Sequence, residues 1–254
     1  MKKPLSISRR TLLKATGAAA IGLIPAGTLL VRAAGKQHPK ALQAKNWAMV
    51  INAKLCPPGC RICQEACHKA HNVPNMPDPK QDVKWIWQES YNSAFPYEAH
   101  SYPDDANAKR PYPVLCNHCE NPSCVRVCPT QATFKRPDGV VMMDYHRCIG
   151  CRFCMAACPY GARSFNFKDP RPYIPSVNQA YPTRTPGVVE KCNFCDERLA
   201  VGQLPVCMEA CPAKAILFGD LGDPASPVRQ ALASNVTLQR KTKLGTRPKV
   251  FYIV

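Results

Sequence analysis

Cys148-Ile149-Gly150-Cys151-Arg152-Phe153-Cys154-Met155-Ala156-Ala157-Cys158-Pro159 is a C-x2-C-x2-C-x3-C-P run. This is the spacing with which a chain wraps thiolates around cubane iron–sulfur clusters. Three thiolates close together on a turn through Gly150 grip three corners of one cubane. The fourth, a helical turn further on, is aimed at a neighbouring one. A run of this kind therefore implies a second, and Cys116-x2-Cys119-x4-Cys124-x3-Cys128-Pro129 supplies it. Two more follow the same logic, Cys56-x3-Cys60-x2-Cys63-x3-Cys67 and Cys192-x2-Cys195-x11-Cys207-x3-Cys211-Pro212, so that four quartets use all 16 cysteines.

The segments around the quartets repeat as well. Trp47–Asn52, Pro113–Leu115, Gly139–Asp144 and Gly187–Glu190 read as strands leading into them. Ala132–Phe134, Ala162–Phe165 and Ala215–Phe218 read as strands leading out, each alanine standing three residues after a Cys-Pro proline. The proline removes an N–H and holds the chain extended, so the helix carrying the last cysteine stops there. The first quartet lacks that proline: Cys67 runs on into His68-Lys69-Ala70-His71, and its first gap is widened by Pro57-Pro58-Gly59. Four copies of strand, ligand loop, short helix and strand predict an α+β fold of two bacterial-ferredoxin-like modules, loop-rich with long insertions, around four [4Fe-4S] clusters.

The expected layout follows. Residues 1–35 form a signal or anchor segment, 45–72 plus 187–225 an outer module and 114–167 an inner one. Residues 73–113 and 168–186 are Pro/aromatic insertions, and 226–254 a C-terminal tail with a helix candidate at Pro227–Ala233 and an edge strand at Lys249–Val254. The first insertion, with Lys84-Trp85-Ile86-Trp87 and Phe95-Pro96-Tyr97, reads either as padding over the core or as a docking surface.

Composition fits a chain stapled by metal, since 26 prolines and 13 glycines leave little room for long helix or sheet. The net charge of +17 points first to nucleic acid or anionic membrane. The first 35 residues, however, hold Lys2, Lys3, Arg9, Arg10, Lys14 and Arg32 and no acid, so without them the charge is +11. Four oxidised cubanes with their thiolates add about −8, which leaves about +3. Ser8-Arg9-Arg10-Thr11-Leu12-Leu13-Lys14 before the apolar run Ala15–Val31 reads as a twin-arginine export signal. That route carries folded proteins, which suits clusters inserted in a reducing cytoplasm and disfavours disulfides. It predicts a place on the extracytoplasmic, periplasmic face of the membrane.

Two other readings of the cysteines stand beside cubanes. Structural zinc suits the pairs of the last quartet, and Cys63-x3-Cys67-His68 differs by one residue from a haem attachment site. His118, inside Cys116-Asn117-His118-Cys119, either hydrogen-bonds a cluster sulfur or fills the loop. Arg126, Arg147 and Arg152 either offset thiolate charge or lie solvated. There is no GxSxG elbow, phosphate loop or HExxH motif, so the sequence predicts a non-catalytic electron carrier.

On these quartets the chain resembles the four-cluster iron–sulfur subunits of membrane-associated redox complexes, the electron-transfer partners of dimethyl sulfoxide, polysulfide and nitrite-type reductases. In Leu115–Pro122, Cys124–Ala132, Asp138–Phe167, Glu190–Cys195 and Gly245–Val254 it looks most like the Dsr-type members of sulfate reducers and sulfur oxidisers. The resemblance implies interleaved ligand sets: Cys116, Cys119, Cys124 with Cys158; Cys148, Cys151, Cys154 with Cys128; Cys56, Cys60, Cys63 with Cys211; Cys192, Cys195, Cys207 with Cys67. It also implies partners: a quinone-reactive integral membrane subunit, an exported multihaem cytochrome c and a further pair of subunits facing the cytoplasm. A molybdopterin enzyme in place of the cytochrome is the alternative, and nucleic acid is not a partner.

Overall fold

The computed structural model describes residues 39–98, 107 and 110–254; the expected export signal at 1–35 lies outside them. The strands in chain order are β1 (Trp47–Asn52), β2 (Ile86–Glu89), β3 (Tyr112–Leu115), β4 (Thr133–Lys135) and β5 (Val141–Met143), then β6 (Ser164–Phe165), β7 (Val189–Glu190), β8 (Ile216–Asp220), β9 (Thr237–Leu238) and β10 (Val250–Ile253). The helices are α1 (Ile62–Ala70), α2 (Tyr91–Ala94), α3 (Ser123–Arg126), α4 (Phe153–Ala156), α5 (Asp196–Leu199), α6 (Val206–Glu209) and α7 (Pro227–Ser234). The lead-in and lead-out segments around the cysteines thus become strands, arranged as small antiparallel pairs, β4 with β5 and β6 with β7.

Proline sets helix length. The helices that carry cysteine into Cys-Pro, α3, α4 and α6, are four residues long. In α1, where His68 follows Cys67, the helix runs for nine residues and ends at Ala70, since nothing removes the next backbone donors.

The largest sheet has the order β8-β1-β10-β9. Met49 of β1 stands opposite Phe218 of antiparallel β8 and Val250 of parallel β10. Strand β1 is buried on both faces, and its alternation divides two cores. Trp47, Met49 and Ile51 face the cysteine-bearing core with Phe218 and Tyr252, whereas Ala48 and Val50 pack with Val228 and Ala231 of α7. Pro227 opens that helix at its first turn, where a missing N–H costs nothing. The C-terminal strand corrects an expectation: β10 is not an edge strand but lies between β1 and β9. The edge falls to β9, whose two residues are too short to leave an alternating pattern.

The described part of the first insertion serves the core. Strand β2 pairs with β3, and Trp85 and Phe95 are buried. Trp85 stacks on His71 at 4.6 Å, and Phe95 meets Tyr112 and Tyr252 edge-on. Tyr97 is the exposed aromatic of this stretch.

Candidate iron–sulfur centres

All 16 cysteines are free thiols, and the fold gathers them into four sites. In site I, Cys56, Cys60, Cys63 and Cys211 line one small pocket with Ile51, Pro113 and Ile216. Burial, then Cys56, Cys211 and Cys60, pushes the Cys63 thiol up to about 12. In site II, burial and then Cys195, Cys192 and Cys207 raise Cys67 far above the ordinary thiol range. The loop here is cramped: Cys195 sits at φ 54°, and its N–H is taken by Asn193 Oδ1 at 2.9 Å.

In site III, Cys116, Cys119, Cys124 and Cys158 line a second small pocket. Burial and then Cys116 push Cys119 up to about 12. In site IV, Cys128, Cys148 and Cys154 pack into one apolar cluster with Met143 and Val189, which Cys124 of site III also joins. Cys151, on the same turn, is the one exposed cysteine. Gly150 makes that turn possible: it has φ 70°, and a Cβ there would lie 2.5 Å from the carbonyl oxygen of Gly187.

The sites neighbour one another in series. Cys63 of site I is among the neighbours that raise Cys67 and Cys207 of site II. Cys116 of site III is, after burial, the main cause of the rise at Cys192, to about 12. Cys124 of site III acts on Cys154 of site IV. The order is therefore I, II, III, IV.

Thiols crowded together out of water, as Cys63, Cys67, Cys119, Cys192, Cys195 and Cys207 are, lie above the ordinary thiol range and stay protonated unless a cationic centre takes them up. A [4Fe-4S] core supplies that positive charge and takes four sulfurs, so the residues fit the group. Cys63 and Cys67 open onto different sites, which leaves no room for the haem reading. His71 Nε2, Cys195 Sγ and Glu197 lie within 4.8 Å of one another, but the imidazole is already bonded to Glu197 at 2.9 Å. That trio is a polar wall of site II.

The polar residues sort themselves by burial. His118 is stacked on Phe194 at 3.6 Å, and its Nδ1 accepts the Val141 N–H at 3.0 Å. Burial, then Lys191, Lys249 and Arg163, holds it well below the usual imidazole pKa, and its Nε2 is buried without a partner among the described residues. Arg126, Arg147 and Arg152 are exposed, and Arg152 lies over Phe165 at 5.4 Å. The cation that does reach a thiol is Arg163, whose Nη2 is 3.0 Å from Cys124 Sγ. Spacing alone does not single it out. Its signal is positional, since it follows the repeated alanine of Cys158-Pro159-Tyr160-Gly161-Ala162 where the other copies have Thr133 and Ile216.

Strand-flanked thiol quartets in interleaved sets define the class, a ferredoxin-type protein. The 4Fe-4S dicluster domain family matches residues 108–171 and 171–221. The chain is 41% identical to the Hdr-like menaquinol oxidoreductase iron–sulfur subunit 1 of Archaeoglobus fulgidus, over 97% of either protein. It is 36% identical to the polysulfide reductase B subunit of Wolinella succinogenes, over 83% of this protein and 95% of that one. It is also 36% identical to the iron–sulfur cluster-binding subunit of menaquinone reductase of Nitratidesulfovibrio vulgaris, over 82% and 88% respectively. The chain therefore belongs to this family of 4Fe-4S dicluster iron–sulfur subunits and binds 4Fe-4S clusters.

Proposed function

We propose that the chain is the electron-transfer subunit of a membrane-bound respiratory redox complex. In this reading it is the DsrO subunit of a Dsr-type complex of sulfur metabolism, relaying electrons through four [4Fe-4S] clusters. The relay runs between a quinone-reactive DsrP-like membrane subunit and a DsrJ-like multihaem cytochrome c, with DsrMK-like subunits completing the assembly. Export by the twin-arginine route puts it on the periplasmic face. The sixteen cysteines act as iron ligands in the four interleaved sets of sites I to IV.

The observation that carries the reading is the packing of thiols into neighbouring sets: Cys56, Cys60, Cys63 and Cys211 about one pocket, Cys116, Cys119, Cys124 and Cys158 about a second, and Cys128, Cys148 and Cys154 with Cys124 in one apolar cluster. A cluster held by four thiolates exchanges one electron and has no open position for a substrate. The protein's part is to hold the sulfurs, shield sites I and III from water with residues such as Ile216 and Tyr160, and set each site's charge. Likeness over almost the whole chain to a subunit of a menaquinol oxidoreductase supports a quinone-linked role.

A second reading, service to a molybdopterin oxidoreductase, is favoured by the likeness to the polysulfide reductase subunit. Purification of the intact complex from native membranes through a tag on this chain decides. A multihaem cytochrome c and a membrane subunit in stoichiometric amount support the first reading; a large pterin-containing subunit overturns it in favour of the second. About sixteen irons with matching sulfide per chain are expected; about four zincs would end both.

A further inference from the structure

Three arginines are buried among the described residues: Arg163, Arg184 and Arg240. Two are paired with acids, Arg184 with Glu190 at 2.6 Å and Arg240 with Glu89 at 2.7 Å. Arg163, 4% exposed, has no carboxylate partner among the described residues. Its Nη2 donates to Cys124 Sγ at 3.0 Å and Thr133 Oγ1 at 2.6 Å, and its Nη1 approaches Met143 Sδ at 3.8 Å. The groups that favour its charge are, in order, Cys124, Cys154 and Cys116, set against the cost of burial. Those sulfurs belong to sites III and IV, so one guanidinium stands between both.

A buried cation without an anion is expensive. Here the anions can only be metal-bound thiolates, so the placement makes sense only in the loaded protein. The outer pair has no counterpart. At the repeat position of Arg163, five residues after the last cysteine of its quartet, the outer copies carry Ile216 and Asn72. Ile216 lines site I, and Asn72 turns to the carbonyls of Asn178 and Tyr181 at 3.0 and 2.6 Å. Other buried cations are held elsewhere: Lys191 bonds backbone carbonyls, and Lys249 is held by Asn46 and Gly139.

Hydrogen bonds to cluster sulfurs and nearby positive charge stabilise the more negative, reduced state. We propose that Arg163 makes the relay lopsided: it raises the electron affinity of sites III and IV above that of sites I and II, so the inner pair fills first. The inference rests on the electron-transfer reading above. Its test reads midpoint potentials of this subunit, which do not depend on which partners it serves, so a wrong partner would show in co-purification and leave these potentials untouched.

The experiment is a reductive titration of the holo full-length subunit followed by electron paramagnetic resonance, with Cys151→Ser used to assign site IV. In the wild type the inner signals appear at the higher potentials. In Arg163→Met the equilibrium constant for reducing the inner sites falls tenfold or more, about 59 mV per tenfold for one electron, and the outer signals stay in place. Arg163→Lys, which keeps the charge, falls less. If iron is retained and the inner midpoints do not move, or all four move together, or the wild-type outer pair fills first, the proposal is wrong. Should Arg163→Met not assemble, Thr133→Val decides, because it frees the guanidinium without removing it: a smaller fall confined to the inner sites supports the proposal, and unchanged inner midpoints overturn it.

Discussion

The Arg184 guanidinium lies 2.6 Å from the Glu190 carboxylate, with 1% and 0% of the two side chains exposed. Glu190 also accepts from Trp85 Nε1 at 3.0 Å and Asn166 Nδ2 at 2.5 Å, while Arg184 donates to the carbonyls of His71 and Asn72. One ion pair therefore fastens both insertions, β7 and the end of α1. Leaving one partner buried alone costs about 3–5 kcal/mol. Arg184→Leu should lose that much in denaturant unfolding followed by circular dichroism, and Arg184→Leu with Glu190→Leu should regain part of it. A single-variant loss below about 1 kcal/mol, the range of exposed pairs, would show that the pair does not bear the strain assigned to it.

Cross-ligation is open to a single substitution. Cys158 follows Cys148, Cys151 and Cys154 in sequence but lines the cavity of Cys116, Cys119 and Cys124. Cys158→Ser should therefore alter the resonance signal of site III and spare that of site IV. A change confined to site IV would reverse the grouping.

Gly150 offers a test of how the ligand turn is shaped. A methyl group there would press on the Gly187 carbonyl oxygen at 2.5 Å and on the Phe165 ring at 3.2 Å. Gly150→Ala is expected to lose about four of some sixteen irons, with the other three signals intact. Full iron content in the variant would mean that the loop yields.

Acid sensitivity has a source away from the thiols. Burial works to raise the Asp220 pKa, but the N–H groups of Lys45, Gly222 and Asn46 outweigh it and hold the carboxylate below its ordinary value. A depressed folded-state pKa gives stability that is complete above the unfolded value, about 3.9, and lost as pH falls through the folded one. Asp220→Asn should lower stability at neutral pH and flatten the acid limb of the stability profile below about pH 4. A profile parallel to wild type would remove Asp220 from the account.

The quartets were readable because iron ligation writes itself in local spacing: Cys148 to Pro159 needs no tertiary information. The lead-in and lead-out strands were readable for the same reason, each lying beside a cysteine loop. What escaped was set by distant contacts. Arg163 is one basic residue among many until Cys124, Cys154 and Thr133 converge on it. Arg184 and Glu190 meet only in the folded chain. Strand β10 read as an edge because the strand outside it, Thr237–Leu238, has two residues and no pattern. Trp85 could have served docking or packing, and its stacking on His71 and its hydrogen bond to Glu190 decide for packing.

The seating of β10 beside β1 bears on biogenesis. Sites III and IV draw their cysteines from residues 116 to 158, but site III also leans on the C-terminal segment, where the N–H groups of Glu120 and Asn121 bond the carbonyls of Arg247 and Thr246. The sheet that backs the other two sites needs residue 253 in register with Asn52, so it stays open until that point of translation has passed. Completion therefore waits for the C-terminal segment, and a polypeptide arrested before residue 245 should hold less iron than the finished chain.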